Sequence, residues 1–307
     1  MNSLLLKRLT LVITLAIFLF SWGSVALAKN LYVQGLPGEG TLGYSLGVII
    51  TKVVNDHSEK IKLGTTSARS TVAVMRLADT DDADLVYTNA WSLMQAWKNS
   101  GPFAKLPMKK KLYPLVWLYT AEFFVITKAE RKDINSLKDL AGKKVSPTKA
   151  GYSYWDVYNK IFKKLGILDK ITLRSIAFPQ TPDALLMGTV DAAVTYTTLK
   201  GEDLPGWGRD LDNRVKFKIV NPNPEEWAIV KSVIPPLVPI TISVKGTYSQ
   251  DVGVNEVLAI ANVYAWCVTE KITTEDAYEY AKILFENADE LAKMDRRFSE
   301  YRDMGKD

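Results

Sequence analysis

Short apolar runs alternate with amphipathic segments through most of the chain. Amphipathic segments whose apolar positions lie three and four residues apart predict helices at 42–56, 70–79, 90–99, 154–166 and 181–188. The apolar runs between them predict strands at 30–35, 60–65, 83–88, 112–120, 122–128, 143–147, 173–178, 191–197 and 216–220. Strands that alternate with helices of this length are typical of βαβ units, so the predicted fold class is α/β with a mostly parallel sheet.

The pattern changes after Pro224. One further strand is predicted at 239–246, and from there the chain reads as almost wholly helical. The apolar run at 254–268, which contains Cys267, predicts a buried helix, and 273–291 predicts another. Within the earlier helix at 154–166, one apolar stripe recurs at helical spacing and is predicted to face the core; it consists of Trp155, Tyr158, Ile161, Phe162 and Leu165.

The first 28 residues have the order of a secretory signal peptide. Lys7 and Arg8 precede the apolar run "LTLVITLAIFLF", and Ala26 and Ala28 supply an A-x-A spacing for cleavage. The apolar run is shorter than the ~20 residues that a spanning helix needs. We therefore expect cleavage near Ala28 and a mature chain that is soluble outside the cytoplasm; the alternative is an uncleaved N-terminal anchor.

Charge and rare residues exclude several function classes. Loss of the signal peptide lowers the formal net charge from +5 to about +3, and we find no long basic stripe with interleaved aromatics for a nucleic-acid partner. The one histidine, His57, is predicted at the surface near a helix end, and the one cysteine is Cys267. Triad catalysis would depend on that single histidine, and Cys/His zinc sites lack ligands. We expect no catalytic site, no metal and no cofactor.

The loops that follow the strands are the places to look for a ligand site. In open α/β sheets, ligands bind at the carboxyl ends of strands, next to helix N-termini. The six loops are rich in Gly, hydroxyl and aromatic residues and poor in acids; they read "PGEGTLGY", "TTSARST", "TNAWS", "PTKAGYSYW", "FPQTP" and "TYTTLKG". Backbone N–H groups, hydroxyls and rings suit a small polar or anionic ligand. The same hydroxyl residues are also ordinary helix caps.

The stretch "GLPGEGTLGYSLG" contains the spacing G-x-G-x-x-G at Gly38, Gly40 and Gly43. A dinucleotide-binding turn would need an acidic residue at the end of the next strand, but that strand ends in Gly64 and Thr65. The chain also lacks a G-K-[ST] sequence for a P-loop here. We therefore interpret the stretch as a turn that brings backbone close to another small ligand.

The order of segments resembles the TAXI-type solute-binding proteins of TRAP (tripartite ATP-independent periplasmic) transporters. The resemblance runs from "YVQGLPGEGTLGYSLG" to "YEYAKILFENADEL". "INSLKDLAGKKVSPTKAGYSYWDV" is similar to the family's S-L-x-D-L-x-G-K-x-V segment, which many two-lobed binding proteins share, and "LLMGTVDAAVTYT" is similar to its G-x-I-D-A stretch. The resemblance implies a periplasmic-binding-protein fold in which two α/β lobes close on a cleft by a hinge.

The resemblance also implies a domain division and a function. Residues 1–28 would be the signal peptide, 29–123 plus 226–307 lobe one, and 124–225 lobe two, with Glu122 at the first crossover. The protein would act as a monomer in the periplasm, capture a small organic acid or amino-acid-like solute, and deliver it to the membrane subunits of a TRAP transporter. Lobe closure would be the signal that the transporter detects.

The chain departs from the family at the loops that would touch the ligand. Arg69 and Ser70 replace a Gly-Gly pair, Asn89 and Trp91 replace Gln and Asp, and Tyr152 and Tyr154 enlarge a small turn. An added Arg can hold a carboxylate, and added rings favour an aromatic ligand. The predicted contacts are Thr41, Tyr44, Ser67, Arg69, Ser70, Asn89, Trp91, Thr148, Tyr152, Tyr154, Thr181 and Tyr196.

Three alternatives stay open on the sequence. A binding protein of an ABC importer uses a similar two-lobed plan. The same fold could form the ligand-sensing domain of a signalling system, or an enzyme. An enzyme would need acids in the cleft, and only Glu122 and Asp183 are carboxylates that we can place near it.

Overall fold

The computed structural model describes residues 29–302. The predicted signal peptide at 1–28 lies outside the described residues, as do the last five positions. No helix in the described range is both long and apolar enough to cross a bilayer.

Strands and helices alternate through most of residues 29–302, as the sequence predicts. The strands are β1 (Asn30–Leu36), β2 (Ile61–Ser67), β3 (Leu85–Asn89), β4 (Tyr113–Lys128), β5 (Lys144–Ser146), β6 (Thr172–Leu173), β7 (Ala192–Thr198), β8 (Phe217–Val220), β9 (Val238–Ser243) and β10 (Glu256–Val268). The α-helices are α1 (Leu42–His57), α2 (Thr71–Asp79), α3 (Ala90–Trp97), α4 (Ser153–Lys164), α5 (Thr181–Leu186), α6 (Gly206–Arg214), α7 (Pro224–Val233), α8 (Thr274–Glu286) and α9 (Ala288–Met294).

The strands form one continuous hydrogen-bonded sheet in the order β2-β1-β3-β10-β4-β7-β5-β6, with β8 paired to β4 and β9 to β10. β1 is parallel to β2 and β3, and β5 is parallel to β6 and β7. The long strands β4 and β10 are antiparallel to their neighbours and connect the two parallel sets. Because carboxyl ends of parallel strands share an edge, the loops after β1, β2 and β3 lie together.

The two parallel sets belong to the two lobes of a periplasmic-binding-protein fold. We call "first lobe" the part built on β1–β3 with α1–α3, α8 and α9, and "second lobe" the part built on β5–β9 with α4–α7. Part of the second lobe has a core of its own, in which Phe124, Phe217 and Leu185 pack with Ile242 and Val257. The larger core runs through both lobes and includes side chains from the surface where they meet.

The predicted helix at 254–268 is wrong, because Glu256–Val268 forms strand β10. The run is apolar at nearly every position since this strand is covered on both faces, and a short continuous apolar run cannot be distinguished from a buried helix by periodicity alone. Cys267 is buried as predicted, but in a strand. The two strands predicted on either side of Ala121 are one strand, β4.

The predicted core stripe of α4 needs one correction. Tyr154, not Trp155, lies in the core: Tyr154 is 1 % exposed, whereas Trp155 is only partly buried and lines a surface cavity. The other stripe positions, Tyr158, Ile161 and Phe162, are buried as predicted. Both Trp155 and Tyr154 fit a helical spacing with these residues, so the pattern alone does not choose between them. His57 ends α1 and is exposed, as predicted.

Candidate functional site

The loop that precedes α4 in the second lobe lies against the loop that precedes α2 in the first. A Cβ atom added to Gly151 would lie 3.5 Å from the Cβ of Ser70. Gly151 has a φ of +92°, which favours glycine at this turn. The helix N-termini of both lobes therefore face a common cleft.

Polar side chains bond across this cleft. The Asn89 amide Nδ2 donates to Ser153 Oγ at 3.3 Å. The Trp91 indole Nε1 and the Gln95 amide Nε2 both donate to Asp156 Oδ2, at 3.0 and 2.7 Å. Asn89 Oδ1 also accepts the Ser92 N–H and so caps α3. The cleft is thus closed by direct hydrogen bonds between α3 and α4.

A cavity of about 200 Å³ opens beside these bonds. Its walls come from both lobes and consist of Val72, Ser92, Gln95, Gly101, Pro102, Gly151, Tyr152, Ser153, Trp155 and Asp156. The mixture of rings, hydroxyls and one carboxylate suits a small organic molecule, although the volume is below the usual range of drug-sized pockets.

Aromatic rings fill the interior between the lobes. Tyr154 of α4 stacks on Phe123 of β4, with ring centroids 3.4 Å apart, and Phe123 also contacts Tyr196 of β7. On the first-lobe side, Tyr264 of β10 stacks on Tyr119 at 4.6 Å. Burial raises the pKa of the Tyr264 and Tyr154 hydroxyls far above 10, so these phenols are uncharged at neutral pH.

Two buried polar side chains in this region have no hydrogen-bond partner among the described residues. They are Asn262, whose Oδ1 and Nδ2 are both unpaired, and Thr148, whose Oγ1 is unpaired. Asn262 is fully buried. Burial raises the pKa of the nearby Tyr154 hydroxyl and Asn262 lowers it, while that hydroxyl donates to the Ile260 carbonyl oxygen at 3.2 Å. Buried polar groups are normally paired, so both side chains are candidates for ligand contact.

The Gly-rich turn after β1 is explained mainly by packing. A Cβ atom on Gly43 would lie 2.5 Å from the Tyr87 ring. The space beside this glycine is therefore occupied by the Tyr87 side chain and not by a ligand. Gly40 has a φ of +80°, which a turn requires. The Thr41 hydroxyl donates to the Gly38 carbonyl oxygen at 2.7 Å and accepts the Tyr44 N–H at 3.3 Å. Our interpretation of this stretch as a close backbone approach to a ligand is therefore wrong at Gly43.

The other predicted contacts differ in where they lie. Tyr152 lines the 200 Å³ cavity, and Trp91 is buried and donates to Asp156, a residue of the cavity wall. Ser70 caps α2 through the Ala73 N–H and faces Gly151. The remaining members are Arg69 and Ser67, which are exposed, Tyr44, which is half-buried, and Thr181 and Tyr196, which are buried in the second lobe.

The two carboxylates considered for catalysis have structural partners. Glu122 is buried, and its carboxylate accepts hydrogen bonds from Thr197 Oγ1 at 3.0 Å and from the Lys200 N–H at 3.1 Å. Burial raises its pKa to about 7, against the lowering effect of these bonds. It points to the opposite side of β4 from Phe123, because neighbouring strand residues face opposite ways. Asp183 lies in the first turn of α5 and pairs with Arg214 at 2.5 Å.

Several residues at the cleft were not among the predicted contacts. Asn262 and Tyr264 lie in a run that the sequence pattern predicts as a helix, so they are not among the predicted contacts; the one signal for Asn262 is a polar residue inside the apolar run "AIANVYAW". Gln95 and Asp156 lie within predicted helices, and no motif distinguishes them. Ser153 lies in the predicted ligand loop "PTKAGYSYW", but it was not among the predicted contacts. Among residues 29–302, no three His, Cys, Asp or Glu side chains form a potential metal site.

Comparisons with known proteins agree with the two-lobed fold. The model of the NMT1-like family matches residues 35–304. A search of curated proteins by sequence found no match. Similar solved structures include a Listeria monocytogenes protein provisionally named as an L-cystine ABC transporter, with a TM-score of 0.52, 18% identity, and coverage of 88% of this chain and 95% of that chain.

Two further structures have the same fold. One is named as the probable extracellular-binding protein of an amino-acid ABC transporter from Bacillus subtilis, with a TM-score of 0.52, 16% identity, and coverage of 90% of this chain and 98% of that chain. The other is a Xanthomonas citri protein solved with ATP, with a TM-score of 0.51, 10% identity, and coverage of 89% and 96%. At these identities the likeness establishes the two-lobed fold alone.

Proposed function

The chain belongs to the NMT1-like family, and we propose that it is an extracytoplasmic solute-binding protein that captures a small organic solute between its lobes. The observation that carries this proposal is the set of hydrogen bonds from Asn89, Trp91 and Gln95 of the first lobe to Ser153 and Asp156 of the second. These bonds close a cleft lined by rings, hydroxyls, amides and one carboxylate, which is a lining that suits a small organic solute.

Binding is favoured over catalysis by the positions of the acids. Glu122 holds the backbone of a turn, and Asp183 pairs with Arg214. Asp156 accepts hydrogen bonds from Trp91 and Gln95, and pairs with Lys160 at 3.2 Å. Each of these three acids therefore has a structural role within residues 29–302, which favours binding over acid–base chemistry.

The transporter partner is proposed to be an ABC importer rather than a TRAP permease. The names of the Listeria and Bacillus structures assign them to ABC transport, and this favours the alternative that the sequence left open over the TAXI resemblance. Vesicles that contain the cognate permease would distinguish the two. Uptake that requires ATP supports an ABC partner, and uptake without ATP supports a TRAP partner. A neighbouring gene for an ATPase would also support an ABC partner.

The lobe division is also part of the proposal. The first lobe holds residues 29–123 and the C-terminal helices, and the second begins near residue 124. Packing of β9 and of residues 252–259 with the second-lobe core supports a second lobe that extends to about residue 259, beyond the boundary at 225 expected from the sequence. Cleavage near Ala28 and a periplasmic location remain proposals, which N-terminal sequencing of the secreted protein would test.

A thermal-shift screen of the purified protein tests solute binding. The panel should contain aliphatic dicarboxylates, amino acids, aromatic acids and aromatic carboxamides, because Arg69 favours an acid and the buried rings favour an aromatic body. A solute that binds only the folded state raises the free energy of unfolding, by about 2.7 kcal/mol at a hundredfold excess over Kd, and so raises the unfolding midpoint. Failure of every class to shift the midpoint would contradict the proposed function.

A further inference from the structure

A strip of small and polar side chains crosses the sheet where the lobes meet. Asn262 of β10 pairs with Ala121 of β4, which pairs with Thr198 of β7. Residues paired directly across neighbouring strands share one face of the sheet, so the three side chains form one row. We call this row the Asn262 strip. All three residues are fully buried.

Aromatic rows border the Asn262 strip on both sides. One neighbouring row contains Phe123 and Tyr196, and the next row on the other side contains Tyr264 and Tyr119. Rows on one face of a strand are about 6.6 Å apart, which is two residues of strand rise. Because the central position of the strip is only Ala121, a flat molecule lying there would meet rings on both sides.

The carboxamide of Asn262 gives the strip its hydrogen-bonding character. Its Nδ2 is a donor and its Oδ1 is an acceptor, and neither has a partner among the described residues. A buried amide without partners is costly, whereas a solute with its own donor and acceptor side by side would satisfy both atoms at once. The Tyr154 ring, stacked on Phe123 with its hydroxyl beside Asn262, covers this region in the closed cleft.

Charged groups near the strip are already paired. Arg297 donates from Nε to Thr198 Oγ1 at 3.2 Å, but its guanidinium is held by Asp203 at 2.5 Å and by Asp295 at 2.7 Å. Glu122 faces the opposite side of the sheet. An ionised solute group on the strip would therefore be buried without a counter-charge, which is strongly unfavourable.

We propose that Asn262 is a specificity-determining residue, and that its carboxamide binds the uncharged donor–acceptor edge of a flat aromatic solute, such as an aromatic carboxamide, seated on the Asn262 strip. This inference rests on the proposed function, since it names the chemistry of the solute end that lies inside the cleft. The exposed Arg69, next to Ser70 in the chain, is then the proposed partner for a carboxylate elsewhere on the same solute.

Three small probes test the chemistry of the strip. Benzamide has the ring and the uncharged edge, benzoate has the ring and a charge, and isobutyramide has the edge without the ring. Calorimetry and thermal shift with the purified protein should give the strongest binding for benzamide. Binding of benzoate or isobutyramide equal to or tighter than that of benzamide would overturn the inference, as would failure of benzamide to bind.

Asn262→Leu is the decisive variant, because leucine has a similar size and no polar atoms. Affinity for benzamide should fall by about tenfold or more, since a hydrogen-bonded edge loses its partner. The ligand-free midpoint should rise by about 2–4 °C, because a buried unpaired amide is removed. A purely structural Asn262 would give a lower midpoint with unchanged affinity, and that result would overturn the inference.

Asn159→Leu provides the matched control. Asn159 lies on α4, outside the strip, and its Oδ1 is also buried without a partner. This variant should keep the wild-type affinity for benzamide; an equal loss in both variants would overturn the specific role of Asn262. If another compound of the screening panel binds the wild type and Asn262→Leu binds it equally well, only this inference fails. If no compound of any class binds, the proposed function itself fails.

Discussion

The indole Nε1 of Trp91 donates a 3.0 Å hydrogen bond to Oδ2 of Asp156, and this bond joins a helix of the first lobe to a helix of the second. The same oxygen accepts the Gln95 amide at 2.7 Å. Lys160, one turn further along α4, stands 4.4 Å from the centroid of the Trp91 ring. All these contacts connect α3 with α4, so they exist only when the cleft is closed.

Asp156→Ala should therefore favour the open protein. The substitution leaves the Trp91 and Gln95 donors without their acceptor, which weakens the closed state by about 1–3 kcal/mol. Small-angle X-ray scattering should show a larger radius of gyration without solute, and solute affinity should fall with the population of the closed state. Asp169→Ala, at an exposed position of the same lobe, should change neither. An unchanged radius in Asp156→Ala would mean that these bonds do not control closure.

The buried carboxyl of Glu122 should make the free energy of unfolding depend on pH. Burial raises its pKa from 4.5 to about 7 in the folded protein. Between these values the folded carboxyl keeps its proton while the unfolded one has lost it, so the folded state binds more protons. The stabilisation from this group is complete below pH 4.5 and is lost as the pH rises through about 7. This shift in the pKa of Glu122 corresponds to about 3 kcal/mol of the free energy of unfolding.

Glu122→Gln measures this contribution, because glutamine is uncharged and can still accept the Lys200 N–H. Urea unfolding from pH 4.5 to pH 8 should show wild-type stability falling relative to the variant, and the difference between the two curves should level off above pH 7. The other titratable groups are the same in both proteins, so their contributions cancel when the unfolding free energy of the variant is subtracted from that of the wild type. Curves that run parallel across the whole range would show that Glu122 is not protonated near neutral pH.

The sequence was informative wherever alternation or helical spacing had a single interpretation. Strands β1 and β7 and helices α1 and α2 begin within one or two residues of their predicted positions. The two helices each have a buried face and a capping residue at the start. β7 is buried at every position, but it is short and rich in β-branched residues, which indicate a strand. β10 was mistaken for a helix because it is buried on both sides, and burial on both sides removes the periodicity that identifies a strand.

The candidate site was harder to predict than the fold. Hydroxyl and amide residues at helix starts fit both a cap and a ligand contact, and the structure gives Thr41, Ser70 and Asn89 the capping bonds. Asn262 and Asp156 are candidate site residues only because of the residues around them in the folded protein, and the sequence does not show those contacts. Their roles depend on which side chains the lobes bring within hydrogen-bond distance.

Arg69→Ala tests whether the solute carries a carboxylate at the cleft mouth. If the guanidinium forms a charge-assisted bond with it, the loss should cost about 1.5–3 kcal/mol of binding free energy for an acidic solute and nothing for an uncharged one. Calorimetry with both solute types measures this difference. Arg302→Ala removes an exposed arginine that pairs with Asp289, and it should have no effect. Equal affinities of Arg69→Ala and the wild type for the acid would remove Arg69 from the site.

Gly201→Ala should be among the most destabilising single-methyl changes in the second lobe. Gly201 has a φ of +95°, and an added Cβ would lie 2.3 Å from the Ser243 carbonyl oxygen of β9. Left-handed strain and a backbone clash together should lower the free energy of unfolding by about 3 kcal/mol or more. Gly246→Ala is the matched control, because its φ is +80° and its surroundings are open, so strain alone should cost about 1–2 kcal/mol. Urea unfolding measures both. Equal losses of unfolding free energy in the two variants would mean that β9 moves aside. The turn at Lys200 and Gly201, which Glu122 holds, would then not be fixed by contact with β9.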